Sequence, residues 1–287
     1  MPELPEVEIA RRALARWFDG HRLVRVEAQP KVRTFRGAKR DEFEKLEGRL
    51  ESAQRRGKYL LLGFSGGRGL MAHLGMTGKF VKRPAGVDEP YSRARFVLDS
   101  GDVIHFRDPR LFGRMEPAPS DKLAQVKAVK ALGVDPLVDG LSVAQLREAI
   151  GSSRQELKVA LMDQGRIAGL GNIHAAEALF RAKLNPHRKP KSLADAEWAA
   201  LAKAIHDTIA FALKEEDAEE IAYVEEGEEN PFLIYGRAGQ PCPTCGTTVK
   251  ATQQGGRTTH FCPTCQPRGA KPAKARRAKP RKTRRTR

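Results

Sequence analysis

The sequence predicts an α+β chain built of several units: an N-terminal antiparallel β-sandwich with a flanking helix, a helical unit, and a metal-bound hairpin. Three observations carry this reading. Short apolar segments with strand-like spacing recur between 22 and 116, divided by turn signals such as Ser65-Gly66-Gly67 and Ser100-Gly101-Asp102. From 121 to 213 the apolar spacing lengthens to that of helices. The four cysteines of the chain, Cys242, Cys245, Cys262 and Cys265, stand in the spacing C-x2-C-x16-C-x2-C.

Taken in order, residues 6–18 read as an amphipathic helix. Val7, Ile9, Ala10, Ala13, Leu14, Trp17 and Phe18 fall largely on one face, Arg11, Arg12 and Arg16 lie outside it, and Gly20 ends it. Strands are expected at 23–28, 59–64, 69–74, 94–98 and 103–106, and many short strands at this spacing suggest a sandwich or barrel. Pro117 to Ser120 reads as a linker signal. Helices are expected at 121–132, 142–150, 153–163, 172–182 and 194–213, with Ser142 and Ser153 as N-caps. The expected units are therefore 1–117, a linker over 118–140, 141–235, the cysteine hairpin over 236–266, and a basic tail over 267–287. No apolar run has the length of a spanning helix and the start carries no secretory pattern, so a cytoplasmic protein without membrane contact is expected.

Each C-x2-C pair encloses Pro-Thr, a tight turn that aims both sulfurs the same way. Two such turns separated by a hairpin-length stretch place four thiolates at the corners of a tetrahedron, which suits one Zn2+. Two disulfides are the alternative, but nothing in the chain points to an oxidising compartment. A site closed by four sulfurs has no open position for a reacting water, so the zinc is structural.

Lys and Arg number 52 against 35 Asp and Glu, a net charge of +17. Eleven of those cations lie between Gln266 and Arg287, where no acid occurs, and the remainder of the chain is still basic. Such a surplus favours polyanions, because each neutralised phosphate releases condensed counterions. Against this background the nine acids within 215–229 stand out.

The residues also carry a resemblance. The start Met1-Pro2-Glu3-Leu4-Pro5-Glu6-Val7-Glu8, Lys58 in Arg-Gly-Lys-Tyr-Leu, and His73-Leu74-Gly75-Met76 resemble the formamidopyrimidine-DNA glycosylase and endonuclease VIII family. So do Asp108-Pro109-Arg110-Leu111-Phe112-Gly113, Gly169-Leu170-Gly171-Asn172-Ile173, and Tyr235-Gly236-Arg237 before the cysteines. The resemblance implies an N-terminal β-sandwich, a helix–two-turn–helix unit and a zinc finger. It implies a nucleoid-associated, monomeric glycosylase and AP lyase that excises oxidised bases, formamidopyrimidine and 8-oxoguanine among them, from damaged double-stranded DNA.

On this resemblance Pro2 is the nucleophile once Met1 is removed. By composition alone a proline at position 2 is an ordinary residue, yet the chemistry is sound. A secondary amine of ordinary pKa near ~8 is partly unprotonated at neutral pH, and attack on C1′ yields an iminium that stays cationic. That cation acidifies the C2′ hydrogen and drives β,δ-elimination. Glu3 would carry protons between steps. Lys58 and Arg257 would contact phosphate and assist catalysis, and Asn172, at a glycine-rich helix start, would contact phosphate as well. Glu6 carries over as a supporting acid and Glu177 less strongly. Met76, Arg110 and Phe112 would fill the gap left by a flipped base, although Met76 and Phe112 read from the residues alone as core.

Three positions depart from the family pattern. Leu111 replaces the second Arg of Asp-Pro-Arg-Arg-Phe-Gly, which removes one polar contact. His174 follows Gly-Asn-Ile where Tyr is common, so a nearby phosphate contact could change. The acidic run stands where 8-oxoguanine-specific members carry a Gly/Ser/Thr-rich segment, which leaves oxidised purines and oxidised pyrimidines both open as substrates. A lesion-binding protein without catalysis is the rival reading if Met1 is retained, since an acylated Pro2 nitrogen is no nucleophile. The tail generates its own prediction. Truncation after Gln266 should flatten the dependence of log affinity on log salt, by about 0.9 for each phosphate contact removed, with the chemical step unchanged. Titration of DNA binding over a salt series checks it, and an unchanged slope would mean that the tail does not touch DNA.

Overall fold

The computed structural model describes residues 2–29, 34, 40–215, 221 and 230–268. Nearly all of the acidic run and of the basic tail lie outside these residues.

Helix α1 (Leu4–Phe18) begins earlier than its periodicity indicates, because Pro5 is tolerated in a first turn. Strand β1 (Arg22–Ala28), the short helix α2 (Arg40–Glu44), and strands β2 (Gly48–Arg56), β3 (Tyr59–Phe64), β4 (Arg68–His73), β5 (Lys79–Arg83), β6 (Ser92–Leu98), β7 (Val103–Arg107) and β8 (Arg114–Pro119) follow. All eight strands pair antiparallel in the order β5-β7-β6-β1-β2-β3-β4-β8. The β1–β2 junction has only two register pairs, Arg22 with Arg49 and Leu23 with Gly48. The sheet therefore divides there into two four-stranded halves. Side chains of both halves (Leu23, Val26, Phe96 and Phe106 from one, Leu60, Leu62, Phe64 and Met115 from the other) share one core with α1, as in a sandwich.

The segment read as a linker signal at Pro117 is the end of β8. Proline cannot donate to a ladder, and β8 is an edge strand where that donor is not needed. Residues 121–132 form a 3-10 turn (Ser120–Gln125) and the single-turn helix α3 (Lys127–Lys130), not one helix.

Helices α4 (Val143–Ile150), α5 (Leu157–Met162), α6 (Asn172–Arg181) and α7 (Asp195–Glu215) enclose a second core around Leu146, Leu157, Leu161, Leu179, Leu201 and Ile205. Ser142 caps α4 in a reciprocal box with Gln145. Ser153 does not cap α5. Its hydroxyl accepts from Gln155 N in a local turn, and Glu156 occupies the cap position. Strands β9 (Lys250–Gln254) and β10 (Arg257–Phe261) form the hairpin between the cysteine pairs. Helix α1 joins the two cores, with fully buried Leu4 in the helical core and Val7 onward in the sandwich core.

A buried charge network locks the same junction. Arg55, with a side chain 1 % exposed, makes a two-pronged bond to Asp135 (2.7 and 3.1 Å) and reaches Glu8 of α1 at 3.2 Å. Asp135 also accepts from Gly57 N at 2.7 Å and from Leu137 N and Val138 N. The turn that carries Lys58 is thus fastened to α1 and to the segment entering the helical unit. Removing one member leaves the others charged and buried, so Asp135→Ala should cost about 3–5 kcal/mol. Equilibrium urea unfolding measures this, and a loss below about 1 kcal/mol would show that the network fixes nothing.

Candidate active site

The N-terminus of α1 meets the N-terminus of α6. Pro2 is buried there, and Leu4 N donates to Gly169 O at 3.0 Å. Gly169 has φ +93°, and a Cβ on it would lie 2.7 Å from the Leu4 side chain, so glycine lets the two segments touch. The Glu3 carboxylate then closes the junction. It accepts from Gly171 N (2.9 Å), Ile173 N (2.9 Å), His174 N (3.1 Å) and His174 Nδ1 (2.7 Å). The amides of Gly171, Ile173 and His174 at the start of α6 are therefore taken by the protein's own carboxylate. The physical preference is for an anion at a helix N-terminus.

Three further charges converge on this point. Glu6 accepts from Glu3 N at 2.7 Å and lies 4.0 Å from His174 Nε2. Lys58 is buried, and a Cβ on Gly171 would meet both the Glu3 carboxyl and Lys58 Nζ within 3 Å. Burial opposes the charge of Glu3, but the His174 hydrogen bond, the His174 and Lys58 charges and the Ile173 amide outweigh it, and its carboxyl is lowered to about 2. Burial likewise opposes charging of His174, yet Glu6 and Glu3 prevail and raise it to about 9. Lys58 is shifted downward, by burial first and by the nearby Arg257 charge, against the pull of Glu3 and Glu6.

Lys158 is a second buried lysine at the site, one the sequence did not single out. Its Nζ donates to Asn172 Oδ1, to Thr259 Oγ1 at 2.8 Å and to Thr258 O at 3.2 Å, so it ties α5 and α6 to the hairpin. Burial and Arg257 lower it to about 8. Arg257 is exposed at the hairpin tip, next to Gly255 and Gly256 in the turn, and its charge acts on both lysines.

Met76, Arg110 and Phe112 come from two loops at the end of the sandwich. Gly75 has φ +71°, and a Cβ on it would lie 2.4 Å from the Phe112 backbone, so the loops are in contact. Buried Asp108 organises the second loop by accepting from Thr77 Oγ1 (3.1 Å) and Gly113 N (2.7 Å). Leu111 adopts φ 58°, and Arg110 lies 5.2 Å from the centre of the Phe112 ring. Phe112 is 50 % exposed and Met76 half-buried, so the phenyl ring is not core. His73, at the end of β4, accepts from Gly75 N at 3.0 Å, and burial, with Lys58 and Arg114, lowers it to about 4.

The four cysteine sulfurs lie within 4.8 Å of one another, with Cys242–Cys265 at 3.9 Å and Cys245–Cys262 at 3.5 Å. A tetrahedron with zinc–sulfur bonds of about 2.3 Å has edges of about 3.8 Å. The set fits one structural zinc ion, and His260 is not among the clustered groups. Glu177 does not join the Pro2 cluster. Its carboxylate accepts from Leu233 N, Ile234 N and Tyr235 N (3.0, 2.8 and 2.9 Å) and fastens α6 to the segment before the finger.

Family models for the formamidopyrimidine-DNA glycosylase N-terminal domain, its H2TH domain, and the zinc finger found in FPG and IleRS match residues 1–115, 132–222 and 239–268. A formamidopyrimidine-DNA glycosylase of Pelotomaculum thermopropionicum is 39 % identical over 276 residues, covering 93 % of this chain and 99 % of that protein. The chain belongs to the formamidopyrimidine-DNA glycosylase family. The crystal structure of the MutM (Fpg) protein from Thermus thermophilus superposes with TM-score 0.79 at 36 % identity, covering 94 % of this chain and all of that one. A Lactococcus lactis Fpg mutant in complex with DNA containing Fapy-dG superposes with TM-score 0.81 at 28 % identity, covering 93 % of this chain and all of that one.

Membership in this DNA glycosylase family agrees with the α+β architecture and the zinc hairpin expected from sequence. No helix among the described residues is long and apolar enough to cross a membrane. Sequence reading missed Lys158 and Asp135, and it named His73 only as part of a motif, with no role of its own. For Lys158 one signal was available, a lysine set among Leu157, Ala160 and Leu161 on a short apolar helix.

The Glu3–His174 pair fixes the sign of a pH effect. Glu3 falls from 4.5 to about 2, so its contribution is complete above 4.5 and lost as pH drops toward 2. His174 rises from 6.5 to about 9, so its contribution is complete below 6.5 and lost as pH climbs through 9. Unfolding free energy should be highest between these limits. In His174→Asn the alkaline decline between 6.5 and 9 should flatten. Denaturant titration at several pH values checks this, and an unaltered alkaline decline would place its cause elsewhere.

Proposed function

We propose that the protein is a bifunctional DNA glycosylase and AP lyase acting on oxidised bases in duplex DNA. The observation that carries this reading is the placing of buried Pro2 beside a carboxylate held anionic and a buried lysine, at the meeting of two units. With Met1 removed, the Pro2 nitrogen attacks C1′, the bond to the damaged base breaks, and an iminium forms. Glu3 stands next to that nitrogen in the chain. As an anion it accepts a proton from the Pro2 amine and returns it to the opening sugar oxygen. The iminium then acidifies C2′, and elimination releases the flanking phosphates.

The phosphates would be held by cations around the site. Lys58 stands beside Glu3, Arg257 reaches in from the hairpin tip, and Asn172, whose oxygen accepts from Lys158, keeps its amide donors for the backbone. Met76, Arg110 and Phe112 would enter the duplex where the base leaves. The exposed ring under a guanidinium suits stacking plus a polar contact to the orphaned partner base. Formamidopyrimidine and 8-oxoguanine are the substrates that the family relationship favours. Oxidised pyrimidines are the alternative, because an acidic run stands here where 8-oxoguanine-specific members carry a Gly/Ser/Thr-rich segment.

Borohydride trapping tests the mechanism, since reduction of the iminium leaves a stable protein–DNA adduct. Duplexes carrying 8-oxoguanine, a dihydropyrimidine or an abasic site should each be compared with Pro2→Gly alongside. The expected result is an adduct on the abasic site and on 8-oxoguanine that Pro2→Gly strongly reduces, since glycine leaves a primary amine in place of the secondary one. No adduct on any duplex, with Met1 removed and zinc bound, would leave a DNA-binding protein without this chemistry.

A further inference from the structure

His174 stands among the groups around Pro2, and the reading above gives it no part. It is buried, and both of its ring nitrogens face carboxylates: Nδ1 lies 2.7 Å from Glu3 Oε2 and Nε2 lies 4.0 Å from Glu6 Oε1. A neutral imidazole has one donor nitrogen, whereas the imidazolium has two. A ring set between the N-cap acid of α1 and a first-turn acid is therefore matched as a cation. We propose that His174, in its imidazolium form, is a positioning residue that commits Oε2 of Glu3 to the scaffold and leaves Oε1 as the oxygen that moves protons. This inference rests on the assignment of Glu3 as proton carrier.

The asymmetry of the Glu3 carboxylate supports it. Oε2 accepts from Gly171 N, His174 N and His174 Nδ1, which uses it fully. Among the described residues Oε1 accepts a hydrogen bond only from Ile173 N, so lone-pair capacity remains there. The groups facing the imidazole from the elements packed against it are Glu3 at the N-cap of α1, Glu6 of α1 and Lys58 of the β2–β3 turn. Lys158 and Arg257 act at one remove, Lys158 on Glu3 and Arg257 on Lys58. Two carboxylates against one lysine leave a net attraction for the ring's positive charge, in accord with its shift to about 9. Once a proton leaves, it leaves from Nε2, and the remaining Nδ1–H bond to Oε2 is no longer charge-assisted. The carboxylate is then held less firmly and turns more easily.

His174→Asn tests the role of the charge, because the asparagine amide can still donate to Oε2 but carries no charge at any pH. The readout is the single-turnover strand-cleavage rate on an abasic-site duplex at saturating enzyme, from about pH 6 to about pH 10. Wild type should show an alkaline break near 9. The variant should cleave about tenfold more slowly at neutral pH and lack the break, with its affinity for a duplex containing a non-cleavable abasic analogue unchanged. A variant that keeps the wild-type rate, or that keeps the break, overturns the proposal.

Should the variant not fold, nitrogen-15 NMR of the wild-type imidazoles decides. Of the seven histidines, one should remain doubly protonated at about pH 8, and its absence overturns the proposal as well. Pro2→Gly in the same assay separates the two levels of inference. Cleavage at the wild-type rate in Pro2→Gly removes the reading of the site, whereas Pro2-dependent cleavage with an unaltered His174→Asn profile removes only the role of His174.

Discussion

One carboxylate at the start of one helix organises this molecule. Glu3 leaves the N-terminal unit and takes the amide groups at the beginning of α6, so an anion from the sandwich neutralises the helix terminus of the helical unit. Each hydrogen bond to a charged group contributes about 1.5–3 kcal/mol when buried, and four converge here. The glycines around it follow from this approach. Gly171 cannot carry a Cβ without striking Glu3, and Gly169 cannot carry one without striking Leu4. The location of Pro2 is thus set by the contact that joins the two cores.

The same contact shapes the charge of the site. A buried anion stabilises cations near it, and Lys58, His174 and Lys158 are all held within its field although burial opposes the charge of each. The Arg55–Asp135–Glu8 network supports the arrangement from behind, by fastening the turn that carries Lys58. The hairpin supplies Arg257 from the far side, and its zinc cluster gives those two short strands a folded base on which to stand. The cation-rich face that would meet a phosphate backbone therefore draws on three separate units of the chain.

Much of this was legible in the sequence because it rests on local signals. The strands of the sandwich alternate or run apolar between clear turns, Ser142 caps α4, and the cysteine spacing states its own geometry. The elements that escaped carry weak or contrary patterns. Strand β2 reads Gly-Arg-Leu-Glu-Ser-Ala-Gln-Arg-Arg, mostly polar because much of it is only half-buried, and β8 contains two prolines that its edge position tolerates. Within the site, Pro2, Glu3 and Lys58 were found through motifs. Asp135 and Lys158 were not, since a lone charged residue announces a buried partner only when the partner's position is known. His174 showed itself as a departure from the family pattern, but its meaning depends on Glu3 and Glu6 lying across the junction, which no spacing along the chain reveals.

The most direct test of the Glu3 junction is hydrogen exchange at the amides of Gly171, Ile173 and His174, compared between wild type and Glu3→Gln. The glutamine preserves shape but removes the charge and turns one acceptor into a donor. If Glu3 holds the units together, these three amides exchange at least about tenfold faster in the variant, while amides of β3 and β4 in the sandwich core keep their wild-type rates. Equal protection of the three amides in both proteins would contradict the account and show that the start of α6 is held by packing alone.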